Sequence, residues 1–281
     1  MKLAISNIAW MPDERGAVYD AMAEAGVTGL EIAPGLFFHA AEDPFLPSPD
    51  VSQAALAEIA DRGLTLVSMQ SLLFGVSGAG LFDGAEATAN LARGMERAIA
   101  LAGRFGIPNL VFGSPGQRRV PEGLPMNQAL DQAAEVFRSF AVAAQSAGTK
   151  IAIEANPAAY GTNFLNTLDE AVDFVARVDH PAVVSILDLG AMHMNGDFAT
   201  TAARIPALLP RLNHVHVSEP NLAPAPHDAA ALAPVIEALR MAAYDKSVSI
   251  EMKRPPEGVA RVRAALERLV TASRKMDGPH G

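Results

Sequence analysis

Four residues close short apolar runs in the second half of the chain: Glu154 after KIAI, Asp188 after VVSIL, His216 after LNHV and Glu251 after VSI. They are separated by 34, 28 and 35 residues, close to one strand-plus-helix unit each time. If those runs are neighbouring parallel strands, the polar side chains at their carboxyl ends converge. Three bare carboxylates that close repel one another strongly in a partly dry mouth. A divalent cation resolves the repulsion. Three oxygens and one nitrogen, with no sulfur, suit one Mn2+ foremost, with Mg2+, Co2+ or Zn2+ as alternatives, and leave positions open for a substrate. Any one of these acids alone could instead cap the next helix or pair with a basic side chain. Four at unit spacing are hard to explain in that way.

The elements that must position them are legible as alternation. Runs rich in branched residues recur at KLAIS (from Lys2), GLEIA (ending at Ala33), LTLVSM (from Leu64), NLVFG (from Asn109), KIAIE (from Lys150), VVSILD (from Val183), LNHVHV (from Leu212) and VSIEM (from Val248). Between them lie segments of helical period, such as Leu91, Met95 and Ile99, or Leu130, Phe137, Phe140 and Ala144. Gly26, Gly63, Gly106 and Gly148 each follow a helical stretch shortly before a strand, where a left-handed cap is needed. Thr167 and Glu170 read as a capping box. Eight units in 281 residues allow about 35 residues each, and an eightfold barrel typically needs roughly 250 in all. The expectation is a single-domain (β/α)8 TIM barrel over residues 1–275, with 276–281 (MDGPHG) a frayed tail. A doubly wound open sheet would carry a glycine-rich first turn, and SNIAWMPD has no glycine. Two long loops, Pro34 to Asp50 with Phe37 and Phe38, and Ser114 to Met126, should lie on the catalytic face, the first as a lid or an interface.

Composition narrows the partners. There are 22 Lys plus Arg against 31 Asp plus Glu, a net charge of −9, and no cysteine. Disulfides and thiolate metal sites are excluded. An acidic chain with no basic block is a poor partner for nucleic acid or anionic lipid. Arg93, Glu96 and Arg104 interrupt the longest apolar candidate for a membrane span, and MKLAISNIAWMPDER lacks a small-residue cleavage site. A cytoplasmic protein is expected, with association into homo-oligomers left open.

Taken together, Glu154 in KIAIEANP, the stretch TNFLNT, Asp188 in SILDLG, His216 in HVHVSEPN, Glu251 in VSIEMK and the second-strand GVTGLEI resemble the sugar phosphate isomerase/epimerase family. That family belongs to the xylose-isomerase-like TIM barrels, among them ketohexose 3-epimerases, hydroxypyruvate isomerases, inosose dehydratases and AP endonucleases. The resemblance spans nearly the whole chain. It implies that Glu154, Asp188, His216 and Glu251 hold the metal and that Glu154 and Glu251 double as acid and base on a small carbohydrate. One carboxylate would take the proton beside a chelated carbonyl and the other return it. Where ketohexose epimerases carry a further Glu, a His and an Arg, this chain has Tyr160, Ala191 and Leu222. The substrate grip therefore differs.

Further residues are candidates for that grip. His193, five after Asp188, could replace the missing imidazole, or be a solvated loop histidine. Glu31 ends the second strand, as a contact to the ligand network or as a structural hydrogen-bonding acid; Gln70 ends the third and could donate to a substrate hydroxyl; and Trp10 could wall a sugar face or simply pack. Arg118 and Arg119 would suit a phosphate or carboxylate, against the default of solvated surface arginines. Lys253, two residues past Glu251, could be a cationic contact or a solvated lysine; His227 and Asp228 open the seventh helix, Asp228 as a cap; Phe112 could wall a sugar face or simply pack; and His214 should sit one layer below His216. A lyase working through the same enediolate is the competing chemistry. A multi-metal phosphodiesterase fits less well with only seven histidines and net charge −9. A non-catalytic sugar sensor does not explain two mouth glutamates.

Overall fold

The eight branched runs become eight parallel strands in a computed structural model that describes residues 1–274. They are β1 Lys2–Ser6, β2 Gly29–Ile32, β3 Thr65–Met69, β4 Asn109–Phe112, β5 Lys150–Ile153, β6 Val183–Asp188, β7 Leu212–Val217 and β8 Ser247–Ile250. Each pairs with its sequence neighbours, and β8 returns to β1, closing the barrel without an edge. The helices are α1 Arg15–Ala25, α2 Pro34–Phe37, α3 Pro49–Ala60, α4 Ala85–Phe105, α5 Met126–Ser146, α6 Leu168–Val178, α7 Leu189–Met194, α8 Thr201–Leu208, α9 Ala229–Met241 and α10 Val259–Ser273. This is the expected (β/α)8 barrel. The expected frayed tail, 276–281, lies outside the described residues.

Local chemistry sets the boundaries. The four glycines named above all take left-handed φ, between 63 and 71°. Thr167 and Glu170 form the capping box that opens α6. Leu91, Met95, Ala98, Ile99 and Ala102 bury one face of α4, and Ala133, Phe137, Phe140 and Ala144 one face of α5. Both faces press on the outward residues of the strands, as where Phe112 meets Phe137 edge-on at 4.9 Å. No described helix is long and apolar enough to cross a membrane.

Three aromatic expectations are corrected. Phe37 and Phe38 are buried, edge-to-face at 4.7 Å, with Phe38 against Phe105, so they anchor the β2–α3 connection instead of forming a lid. Trp10 is 3% exposed and meets Tyr19 edge-on, so it belongs to the core and not to a sugar platform. The indole and phenyl rings gain more from burial than an exposed wall would give them.

The barrel interior departs from the usual layers of branched apolar residues. Inward positions hold Ser6, Glu31, Ser68, Gln70, Asn109, His214, His216 and Ser249, all buried. A small apolar patch, Val111, Ala152, Val184 and Ile186, fills one side. Most buried polar groups are paired, and most of these are. They form the floor of the site.

Candidate active site

Glu154, Asp188, His216 and Glu251 converge as their spacing requires. The period-two alternation of β5 to β8 turns all four inward at the carboxyl end of the barrel. From His216 Nδ1 it is 3.3 Å to Glu154 Oε1, 3.6 Å to Asp188 Oδ2 and 3.2 Å to Glu251 Oε2. One donor atom from each residue lies within 4.8 Å of all the others. Two donors about 2.2 Å from one ion are at most about 4.4 Å apart, so the 3.2–3.6 Å separations from His216 already suit one divalent cation and the widest pair need close by only a few tenths of an ångström. The carboxylates are 10–13% exposed, too dry for three like charges to coexist without a counter-ion. Burial pushes the Glu251 carboxyl up to about 7; Glu154 and Asp188 add to the shift and His216 opposes it.

Neighbouring groups aim each of these side chains. Asn156 Nδ2 donates to Glu154 Oε2 at 3.0 Å. Gly113 makes room for that carboxylate, since a Cβ there would lie 2.3 Å from Glu154 Oε2. Asp188 has two roles: Oδ1 accepts from the Ala191 amide as the N-cap of α7, and Oδ2 accepts from Ser218 Oγ at 2.8 Å. The capping role is thus real and coexists with convergence on the cluster.

Of the two roles open to Glu31, the structure gives it the structural one, not the substrate contact. It is fully buried beneath His216, whose Nε2 sits 3.1 Å from both carboxylate oxygens. Ser68 and Ser249 donate to it at 2.9 and 2.8 Å, and His214 Nε2 stands 3.5 Å away. Asn109 donates to Ser68, and Asn213 to Asn109, extending the network across the floor. Burial alone would raise the Glu31 carboxyl, but His216 and His214 hold it well below the usual range. Burial likewise disfavours charge on His216, and Glu251, Glu31 and the other carboxylates overcome it, raising its pKa well above normal. With Nε2–H committed to Glu31, Nδ1 is the nitrogen that faces the three carboxylates, and a cation bound there would take the place of its proton. His214 is interior, as expected, and burial lowers its pKa.

Two cavities meet at the carboxylate pair. One, of about 450 Å3, runs along the loops after β5 to β8 and is lined by Asp188, Tyr160, Asn221, Leu222 and Lys253 among others. The other, of about 290 Å3, lies under the loops after β3 and β4 and includes Gln70, Ser71, Phe74, Ser114 and Gln117. Glu154 and Glu251 line both. Ser71, Ser114, Asn221 and Leu222 take left-handed φ of 44–60°, strain that clusters at the mouth.

The remaining candidates separate. Gln70 lines the second cavity while donating to Ser6 at 2.6 Å. His193 is corrected: it turns outward with α7, stacks on Phe198 at 3.8 Å and lines a side cleft with His227 and Asp228, so it does not replace the missing imidazole. Arg119 is exposed and lines neither cavity. Arg118, expected at the mouth or in solvent, is wholly buried, and its guanidinium has no hydrogen-bond partner among the described residues. Burial lowers its pKa to about 10, against the pull of Glu154. Asn156 and Ser218 escaped the sequence reading, although each follows a ligand by two residues.

Comparison with known proteins agrees with this architecture. The D-psicose 3-epimerase of Clostridium cellulolyticum H10, crystallised with D-tagatose, superposes with a TM-score of 0.75 at 19% identity, covering 97% of this chain and 96% of that one. The 3-keto-D-glucoside 4-epimerase of E. coli gives 0.74 at 20% identity, over 97% and 98%. An L-ribulose 3-epimerase gives 0.72 at 19% identity over both full lengths. A search of curated protein sequences finds no significant match. The sequence profile described as xylose isomerase-like TIM barrel covers residues 19–271, and with nine-tenths of its length inside that profile the chain belongs to this family.

Proposed function

We propose that the chain is a divalent-metal-dependent sugar isomerase or epimerase of the cytoplasm, with Mn2+ as its ion and a sugar or sugar derivative as substrate. The observation that carries the reading is the convergence of four donors at the barrel mouth, with two of them, Glu154 and Glu251, edging both cavities. The similar structures of D-psicose, L-ribulose and 3-keto-D-glucoside epimerases support the substrate class.

A cation held by Glu154, Asp188, His216 and Glu251 would polarise a sugar carbonyl and its neighbouring hydroxyl, making the intervening C–H acidic. Glu251, which with Glu154 lines both cavities, is placed to take or return a proton at that carbon. Glu154 is kept in place by Asn156 and Gly113 and accepts or returns the proton from its own side. Return to the opposite face of the same carbon gives an epimer; return to the adjacent carbon gives an isomer. Tyr160 and Lys253 line the substrate side and replace the grip that ketohexose epimerases build with other residues.

The test is isotope exchange. Mn2+-loaded protein incubated with a panel of ketoses, keto-glycosides and inososes in D2O should incorporate deuterium beside a carbonyl. Glu154→Gln and Glu251→Gln should each lose at least about a hundredfold in rate. Full activity after chelation would refute the metal mechanism, and a product lighter by one water would move the chain to the lyases.

A further inference from the structure

The carboxylate pair does not sit at the end of its cleft. Space continues on both sides, about 450 Å3 toward β5–β8 and about 290 Å3 toward β3 and β4. A hexose displaces on the order of six waters, roughly 180 Å3 at a water's ~30 Å3 of liquid. The larger cavity alone takes a monosaccharide beside Asp188. The smaller one needs another occupant.

We propose that the β3–β4 cavity is a second sugar subsite, so that the substrate is a glycoside whose second pyranose ring lies over Phe74 while the first ring meets the carboxylates. The assignment rests on the sugar reading above. Three features of the cavity define its ligand.

The polar lining is uncharged apart from the two shared glutamates. Ser71, Ser114 and Gln117 make no side-chain hydrogen bond to another described residue, and Gln70 spends only its amide nitrogen, on Ser6. Hydroxyls and amides free on both donor and acceptor sides match the hydroxyls of a neutral ring. With no cation in the lining, a phosphate or carboxylate would be poorly held.

Phe74 supplies the apolar face. It is 58% exposed, the one aromatic among the exposed large hydrophobic residues described. Burial would ordinarily remove such a ring from water. Over an aromatic face, the C–H side of a pyranose can stack while its hydroxyls reach the polar wall.

The ring is also held in place. Ser71, at φ 56°, starts a turn closed by the Phe74 amide donating to the Ser71 carbonyl at 3.0 Å. The Phe74 carbonyl accepts from the Arg97 guanidinium, which in turn stacks on Phe45. The aromatic ring rests on Gly35, where a Cβ would come within 3.0–3.3 Å of Cε1, Cδ1 and Cζ. A platform fixed at its turn, its carbonyl and its ring costs little further ordering when a ligand arrives.

Binding without turnover tests the subsite independently of the chemistry. Mn2+-loaded wild-type protein and Phe74→Ala are titrated calorimetrically with cellobiose, maltose, trehalose and sucrose, and with glucose and fructose. At least one disaccharide should bind wild type tenfold or more tightly than its component sugars. Phe74→Ala should erase that margin while leaving monosaccharide binding and melting temperature unchanged, and Phe74→Trp should keep it. Equal binding of disaccharides and monosaccharides overturns the proposal, as does a margin that survives Phe74→Ala, or a loss of self-association in that variant with sugar binding intact. None of these sugars has to react. Disaccharide binding together with no deuterium exchange on any ketose, keto-glycoside or inosose would remove the enzymatic reading and leave the subsite, while exchange on free ketoses without a disaccharide margin would do the reverse.

Discussion

Replacing Glu251 by glutamine should stabilise the metal-free protein. Burial raises this carboxyl from an ordinary 4.5 to about 7. Below pH 4.5 both folded and unfolded chains hold the proton and the group contributes nothing. Between 4.5 and 7 the unfolded chain releases it while the folded chain keeps it, so the unfolded state binds fewer protons and stability falls as pH rises. Above 7 the loss is complete. At about 1.4 kcal/mol per tenfold change, the nominal penalty at pH 8 is about 3 kcal/mol. His216 returns part of this gain in the variant, because it loses one of the carboxylates that hold its proton. A domain of 281 residues unfolds with an entropy near 0.6 kcal/mol per kelvin, so the expected rise in Tm is about 3–5 °C at pH 8. It should vanish near pH 4.5. The assay is calorimetry of chelated wild type and Glu251→Gln across pH 4.5–8. Saturating Mn2+, at about a hundred times Kd, should then stabilise wild type by about 2.7 kcal/mol and the variant by much less. A chelated variant less stable than wild type at pH 8, or equal metal stabilisation of both, would refute the account of a carboxylate cluster strained without its ion.

Two more substitutions separate support from contact. Glu31→Gln leaves the four converging side chains in place but removes the negative charge and one of the two acceptor oxygens beneath His216 Nε2, so Mn2+ affinity should fall about 10–100-fold by titration calorimetry; unchanged affinity would show that His216 needs no carboxylate partner. Gly113→Ala puts a methyl group 2.3 Å from the Glu154 carboxylate and must move it. Turnover should drop by at least tenfold with a Tm change of no more than a few degrees, and wild-type turnover would mean that the Glu154 position is not set from β4.

Which parts of this arrangement a sequence can reveal follows from the reach of each interaction. Strands show as branched runs because both of their faces are covered, and the four converging side chains show because a polar residue ending an apolar run is rare and its recurrence at unit length is rarer. The floor does not show. Glu31 meets Ser68, His216 and Ser249 at sequence separations of 37, 185 and 218, and only closure of the barrel brings them together. Arg118 is invisible for a different reason: arginine is almost never fully buried without a partner, so exposure is the default that this chain overrides. His193 and Arg119 stand close to strand ends in sequence, but a helix or loop that turns away after the strand erases direction. Where the backbone stays extended, direction persists. The Glu154 amide still donates to Phe112, the Glu251 amide to Val217 and the Lys253 amide to Leu222. Asn156, Ser218 and Lys253, each two residues past a ligand, accordingly stay on the ligand's side. Parity from a strand-end ligand, followed until the chain first turns, is therefore the signal in the sequence that finds the groups around a barrel-mouth metal site.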